Sequence, residues 1–319
     1  MGAPAGTFQT FQAIGNREDL SGMIYNISPS ETPFMTLVGR GERAEAAFTE
    51  WQTDAFAAVD LANAVIEGDD ATNDSIAPTV RIGNYCQTSD KVAQVSTIQN
   101  SAVKKAGRLQ TEMAYQLVKR GKELKRDMES IITQNQAAVA GATGTARKLR
   151  SLEAWYATNT SRGATGANGG ALTAPTDGTQ RDLSEPLVKA LMQLCYANGA
   201  KPTVLMCGPV NRVNCSTKLT GGATKFYRIE EKKLVATVTI YETDFGALKI
   251  VPNRFQRDRT IHLIDPEYAA ISYLETPASQ DLAVTGLTRR KQMWCSYTLR
   301  MKNEAAHGVL ADLNTAILP

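Results

Sequence analysis

Three observations predict an α+β fold for this sequence. Helix-like and strand-like periodicities are mixed along the chain without a regular βαβ repeat. One amphipathic helical pattern runs far longer than the others. Just before it stands a long, acidic, strand-like stretch with too little apolar content to be stable alone.

The elements follow in chain order. Residues 1–18, rich in Gly, Thr, Gln and Ala, read as an extended arm. Asp19 is placed to cap a short helix carrying Leu20, Met23, Ile24 and Ile27 on one face. Thr32 as N-cap and Pro33 at the first helical position start a second short helix, which Gly39 stops. Its apolar side is Phe34, Leu37 and Val38.

Residues 44–97 predict a two-stranded loop with its tip near 60–78. Phe48, Trp51, Phe56, Val59, Val65 and Ile66 are spaced among polar residues and acids. No Lys or Arg occurs from Ala44 to Val80, a stretch that holds Glu45, Glu50, Asp54, Asp60, Glu67, Asp69, Asp70 and Asp74. Such a hairpin must lie on something. The choice is between a neighbouring copy and a solvated surface position.

The longest helix is predicted at about 104–139, with Leu109, Met113, Leu117, Gly121, Leu124, Met128 and Ile131/Ile132 at spacings of three and four. Continuous, it would span roughly 50 Å at ~1.5 Å per residue. Gly121 predicts a kink or a close packing contact. Lys119, Lys122, Glu123, Arg126 and Glu129 form the other face, read as solvated with local ion pairs. Residues 158–181, rich in Gly, Thr, Ala and Asn, read as a flexible loop or linker. Beyond lie a helix near Ser184–Ala197, a strand at Thr203–Cys207, a hairpin of Leu234–Tyr241 and Ala247–Val251, a strand at Thr260–Ile264, and an alternating run over 289–302.

Composition narrows the function. The chain has 319 residues, 43% hydrophobic and 21% charged, enough for a core in one large domain or two modest ones. Lys and Arg total 35 against 32 Asp and Glu, a net charge of +3. That is weaker than a dedicated nucleic-acid binder carries. No apolar run approaches a membrane span and no secretory signal opens the chain, so the expected compartment is a cytoplasm. Met1-Gly2 fails as a myristoylation signal because Gly6 stands where Ser or Thr is required. The five cysteines (Cys86, Cys195, Cys207, Cys215, Cys295) form no Cys-x-x-Cys and read as reduced, partly buried thiols.

Chemistry is sparse. His262 within a strand and His307 in a turn belong to no ligand set and read as structural. No Gly-x-Ser-x-Gly elbow or Walker loop occurs. Gly39-Arg40-Gly41-Glu42-Arg43-Ala44 matches a dinucleotide fingerprint by letter, but a helix precedes it instead of a strand, so it reads as a helix stop. Glu67, Asp69 and Asp70 around Gly68 lack calcium-loop spacing and read as an acidic turn. No catalytic, cofactor or metal site is expected. Basic residues cluster at Arg254, Arg257 and Arg259, and again at Arg289, Arg290 and Lys291. They suit either phosphate contact or docking of a neighbour's acidic hairpin. The interface candidates are therefore Glu67, Asp69, Asp70, Asp74, Arg254, Arg257, Arg289 and Arg290.

Several segments, taken in order, resemble one group of tailed-phage major capsid proteins. They are Arg17-Glu18-Asp19-Leu20, Met23 through Pro29 and Thr32-Pro33-Phe34; then Glu50 through Asp54, Glu67-Gly68-Asp69-Asp70 and Gly83 through Gln87. The stretch from Ala106-Gly107-Arg108 to Arg126-Asp127-Met128-Glu129, then Leu263 through Tyr268 and Leu299 through Glu304, complete the set. The family is similar to the Hong Kong 97-type capsid fold. The resemblance implies an N-terminal arm (1–43), an extended loop (44–97), a peripheral domain on the long spine helix (98–182), an axial domain (about 183–288), and a return to the peripheral domain (289–319).

It further implies self-assembly as hexamers and pentamers into an icosahedral virion shell. The shell would enclose double-stranded DNA without sequence specificity and form in the host bacterial cytoplasm. A portal, and separate scaffolding or decoration proteins, are the expected partners, since the chain has no room for a scaffolding domain before Asp19. An encapsulin-like compartment is the alternative within the same fold. An unrecognised enzyme is the third reading and has almost no motif support.

Overall fold

The computed structural model describes residues 29–68, 70, 73, 76–102, 111–219 and 239–317. The helix expected from Asp19, with the rest of residues 1–28, lies outside them. So do Asp69, Asp74 and the first residues of the predicted long helix, Leu109 included.

Helix α1 (Pro33–Val38) starts at Pro33 and stops at Gly39, whose φ of 66° is a left-handed conformation that glycine adopts without steric cost. Phe34, Met35 and Val38 are buried. The supposed dinucleotide motif is this helix stop. Downstream, Gly41 N donates to Ile271 O (2.9 Å) and Ala44 N to Tyr273 O (3.0 Å).

Strands β1 (Phe48–Thr53) and β2 (Val80–Tyr85) pair antiparallel, from Phe48 opposite Tyr85 to Thr53 opposite Val80. The predicted loop is therefore real but narrower than expected. At buried Cys86 the chain leaves it. Strand β3 (Gln87–Ser96), expected within the hairpin, instead pairs with β10 (Thr288–Met301). β10 also pairs with β9 (Ala269–Asp281), giving a three-stranded antiparallel sheet. A short α2 (Thr97–Ser101) follows β3.

The long helix is α3 (Glu112–Thr133), 22 residues or about 33 Å. Thr111 caps it, its hydroxyl accepting from Ala114 N at 3.3 Å. The helix ends well before Gly141. Thr133 bonds back to Glu129 O (2.9 Å), Gln134 turns extended, and Asn135 and Gln136 bond to Pro175 O and Ser151. The bonds to Pro175 and Ser151, 40 and 15 residues away, hold the chain out of the helix that the spacing predicted to about residue 139. Gly121 is a close packing contact: a Cβ there would meet Met293 Sδ at 3.2 Å. Leu124, Met128 and Ile132 pack with Phe34, Tyr297, Leu299 and Trp155 in the larger core.

The rest of the chain contributes α4 (Leu152–Trp155), β4 (Thr160–Ser161), α5 (Glu185–Ala197), β5 (Val204–Cys207), α6 (Pro209–Lys218), β6 (Ile240–Thr243), β7 (Gly246–Pro252), β8 (Ile261–Ile264) and β11 (Gly308–Leu310). Their strands make a six-stranded sheet in the order β4-β11-β8-β5-β7-β6. A second core lies between this sheet and α5, with Val188, Leu191, Met192, Leu205 and Leu263 buried. The β6–β7 hairpin turns at Asp244-Phe245-Gly246 as predicted, although residues 234–238 are outside the described set. All five cysteines are free and buried.

The Gly-rich segment 158–181 is a folded loop. Both carboxylate oxygens of buried Asp312 hold it, accepting from Gly163 N (3.0 Å) and Gly178 N (2.7 Å). Its glycines answer to close packing. A Cβ on Gly163 would overlap the Thr179 carbonyl and come within 2.9 Å of Asp312 Cβ. Gly163→Ala is expected to lower stability by about 1–3 kcal/mol, read as a lower urea midpoint with unchanged slope.

Candidate intersubunit surface

The extended loop is rooted at its base. Trp51 is buried against Trp155, ring centroids 5.6 Å apart, with the Arg300 guanidinium 5.8 Å from its ring. Across the ladder, Asn84 donates to Leu299 O (2.9 Å) and Arg150 O (3.1 Å) and accepts from Arg150 N (2.7 Å). These contacts bind β1 and β2 to α4 and β10.

Beyond Thr53 and before Val80 the described residues stand in water. Phe56 is 105% exposed, Leu61 96% and Ile76 95%, and Val59, Val65 and Ile66 are nearly as open. Burying one such side chain fully stabilises by about 1.5–3 kcal/mol, so six of them represent roughly 9–18 kcal/mol that the isolated subunit forgoes. Glu67 and Asp70 lie exposed in the same segment. An exposed apolar segment of this size, ringed by acids, marks an interaction surface.

The basic candidates fall in three places. Arg254 is exposed and lines a cavity of about 530 Å³ with Glu31, Pro33, Pro209, Arg212 and Pro252. Arg289 is exposed and Arg290 half-buried near the start of β10, opposite Val95 and Gln94 of β3. Arg257 is committed inside the subunit. It donates to Glu153 Oε2 at 2.8 Å and to Asp177. Arg257 is thus corrected from an interface candidate to an internal ion-pair residue, and the reason is the buried Glu153 carboxylate it must neutralise. Neighbouring Arg259 is likewise occupied, by Asp312 Oδ1 (3.1 Å) and Gly178 O (2.6 Å).

This ionic network was invisible in the sequence. Glu153 is 2% exposed and also accepts from Thr260 Oγ1 at 2.9 Å. Burial pushes its carboxyl above the usual carboxylate range, with Arg257 and Thr260 pulling the other way. His262 stacks on Tyr156, ring centroids 5.5 Å apart, and both are fully buried. Glu129 was expected on the solvated face of the long helix. It is instead fully buried, accepting from Phe34 N (2.7 Å), Met35 N (2.9 Å) and Asn253 Nδ2 (2.7 Å). Its only signal in the sequence was its position five residues after Leu124 and one after Met128, on the border of the apolar stripe.

Among the described residues, no group of three or more His, Cys, Asp or Glu side chains is placed to hold a metal ion. No helix among them is long and apolar enough to cross a membrane. What the surface offers is an apolar, acidic projection and separate basic patches, which is equipment for binding another macromolecule.

Comparison with known proteins agrees. The capsid asymmetric unit of cyanophage A-1(L) has the same fold, with a TM-score of 0.64 at 12% identity over 96% of this chain and 98% of that one. The capsid of Myoviridae phage XM1 gives 0.58 at 12% identity over 93% and 97%. The SrpI encapsulin of Synechococcus elongatus PCC 7942 gives 0.57 at 10% identity over 95% of each chain, a likeness of fold alone. The α+β, Hong Kong 97-type fold expected from the sequence is the fold of this chain. In sequence, the chain is 27% identical to the major capsid protein of Escherichia phage Phieco32, over 95% of this chain and 96% of that protein. The model of the SU10 major capsid protein family matches residues 3–314, nearly the whole length, and a chain with this fold and this projecting loop belongs to that family of tailed-phage capsid subunits.

Proposed function

We propose that copies of this chain associate as hexamers and pentamers into a closed icosahedral shell around double-stranded DNA, with the acidic loop of each copy seated on a basic surface of its neighbour. The exposed apolar residues of segment 54–79 carry this reading, because a monomer gains nothing by holding them in water. Charge supplies the register. The loop has no Lys or Arg, and Arg289 and Arg254 stand exposed elsewhere on the subunit. The near-neutral balance of the chain suits enclosing DNA over gripping it. Assembly takes place in the host bacterial cytoplasm, with a portal and with separate scaffolding or decoration proteins as partners.

The role is structural and not catalytic. The buried carboxyls of Glu129 and Glu153 are each taken up by internal donors, which supports this reading.

Negative-stain electron microscopy of the purified protein tests the proposal. Closed shells or ring-shaped capsomers are expected. The double variant Arg289→Glu, Arg290→Glu should leave folded subunits whose melting temperature is within about two degrees of the wild type but whose shells are lost. Normal particles from that variant would reject the docking of the loop on this patch. A chain that stays monomeric at every concentration and ionic strength would reject assembly itself.

A further inference from the structure

The strongest unexplained feature is the position of Glu129. A buried carboxylate is costly unless its oxygens are satisfied. Here three donors converge on it from two directions. Phe34 N and Met35 N come from the first turn of α1, 95 and 94 residues away in the chain. Asn253 Nδ2 comes from the segment between β7 and β8.

Each partner needs this group. The first amides of any helix lack intrahelical acceptors, and a Thr N-cap ordinarily supplies one. Thr32 makes no such bond, and its own buried hydroxyl has no partner. The acceptor that a local cap would provide is instead delivered by the spine helix. Asn253 is fixed in turn: its N–H donates to Cys207 O of β5 (2.8 Å), and its Oδ1 accepts from Phe255 N (2.9 Å). One carboxylate therefore joins the arm segment, the helix of the larger core and a loop of the six-stranded sheet.

We propose that Glu129 is a positioning residue for assembly, locking arm, spine helix and the loop after β7 into the single subunit shape that a closed shell requires. This rests on the reading that copies of the chain form shells. The link has a chemical requirement that glutamine cannot meet. A carboxylate has two acceptor oxygens. The Gln amide keeps one and turns an NH2 toward either Met35 N or the Phe34 N and Asn253 pair.

Glu129→Gln is expected to fold, with β10 amides as protected from hydrogen exchange as in the wild type. The Phe34 or Met35 amide should exchange about tenfold faster, the consequence of one orphaned buried donor. Electron microscopy should show few or no closed shells. The double variant Thr32→Asp, Glu129→Gln separates anchoring from simple helix capping. The carboxylate introduced at the N-cap supplies a local acceptor to the same amides, so they regain protection, but the tie to α3 stays cut and shells stay scarce.

Normal shells from Glu129→Gln, or shells restored by Thr32→Asp, would overturn the proposal, as would unchanged amide protection in the single variant. Should Glu129→Gln fail to fold, Asn253→Ala takes its place. It removes one donor and keeps both α1 bonds, so protected amides with a reduced shell yield are expected, and a wild-type yield would overturn the three-way tie. Failure of the wild-type chain to form particles would instead strike the assembly reading on which this rests.

Discussion

Arg257→Ala is expected to cost about 3–5 kcal/mol of subunit stability, the penalty for leaving a buried charge without its partner. The guanidinium is only 18% exposed and spans Glu153 and Asp177. Removing it strands Glu153, at 2% exposure, with Thr260 as its remaining hydrogen-bond donor. Urea unfolding of the isolated subunit should show the loss as a lower midpoint. Arg254→Ala, three residues away and exposed, is the control and should change stability by no more than about 0.5 kcal/mol. Equal effects at the two positions would show that the network contributes nothing special. Lysine should rescue Arg257 poorly, because a point charge cannot bridge two carboxylates as a planar fork does.

Acid sensitivity is the second large effect. Burial holds His262 down to about 3, helped by repulsion from Arg257, Arg162 and His307. Burial holds His307 down to about 4, against a backbone hydrogen bond that raises it. Both are neutral in the folded chain. Once unfolded, they take up protons below about 6.5. The unfolded state then binds more protons than the native one, so stability falls as the pH drops from about 6.5 toward the folded values.

At pH 5 each histidine contributes a loss of about 2 kcal/mol, or about 4 kcal/mol together. Glu129 and Glu153 act in the opposite sense. Burial raises both, so their folded forms gain protons, and stability, as the pH falls toward 4.5. A difference measurement isolates the histidines. His307→Asn keeps an acceptor for Asp265 N, which now donates to Nδ1 at 3.2 Å, and removes the titrating group. The stability change between pH 7 and pH 5 should shrink by about 2 kcal/mol in that variant. An unchanged pH dependence would show that His307 does not titrate as its burial requires.

Much of this fold was legible as pattern. Pro33 and Gly39 marked the bounds of α1 to the residue, because their backbone preferences are local, whereas the capping bond expected from Thr32 is made by Glu129 instead. The apolar spacing through Leu124, Met128 and Ile132 identified the face that α3 buries. Alternation revealed β10, and the acidic run marked the projecting loop. Pairing was less readable. β3 looks like the return strand of a hairpin, and only β10, some two hundred residues later, claims it. Glycine misled in a different way. In segment 158–181 it signified close approach of backbone around Asp312, and composition cannot distinguish that from slack chain.

The charged residues divide along the same line. For Glu67, Arg254 and Arg289 the sequence and the structure agree on exposure, since short-range patterning decides which side chains meet water. For Glu129 and Arg257 they do not, and on Glu153 and Asp312 the pattern was silent, because these four are engaged by partners 53 to 149 residues away. The amino-acid order by itself determined which segments became helix, strand and projecting loop, and it carried the resemblance to the capsid family. Only the tertiary structure decided which charges became internal ties. A local pattern can report how a segment prefers to fold, but a buried ion pair exists only once distant parts of the chain have excluded the water between them.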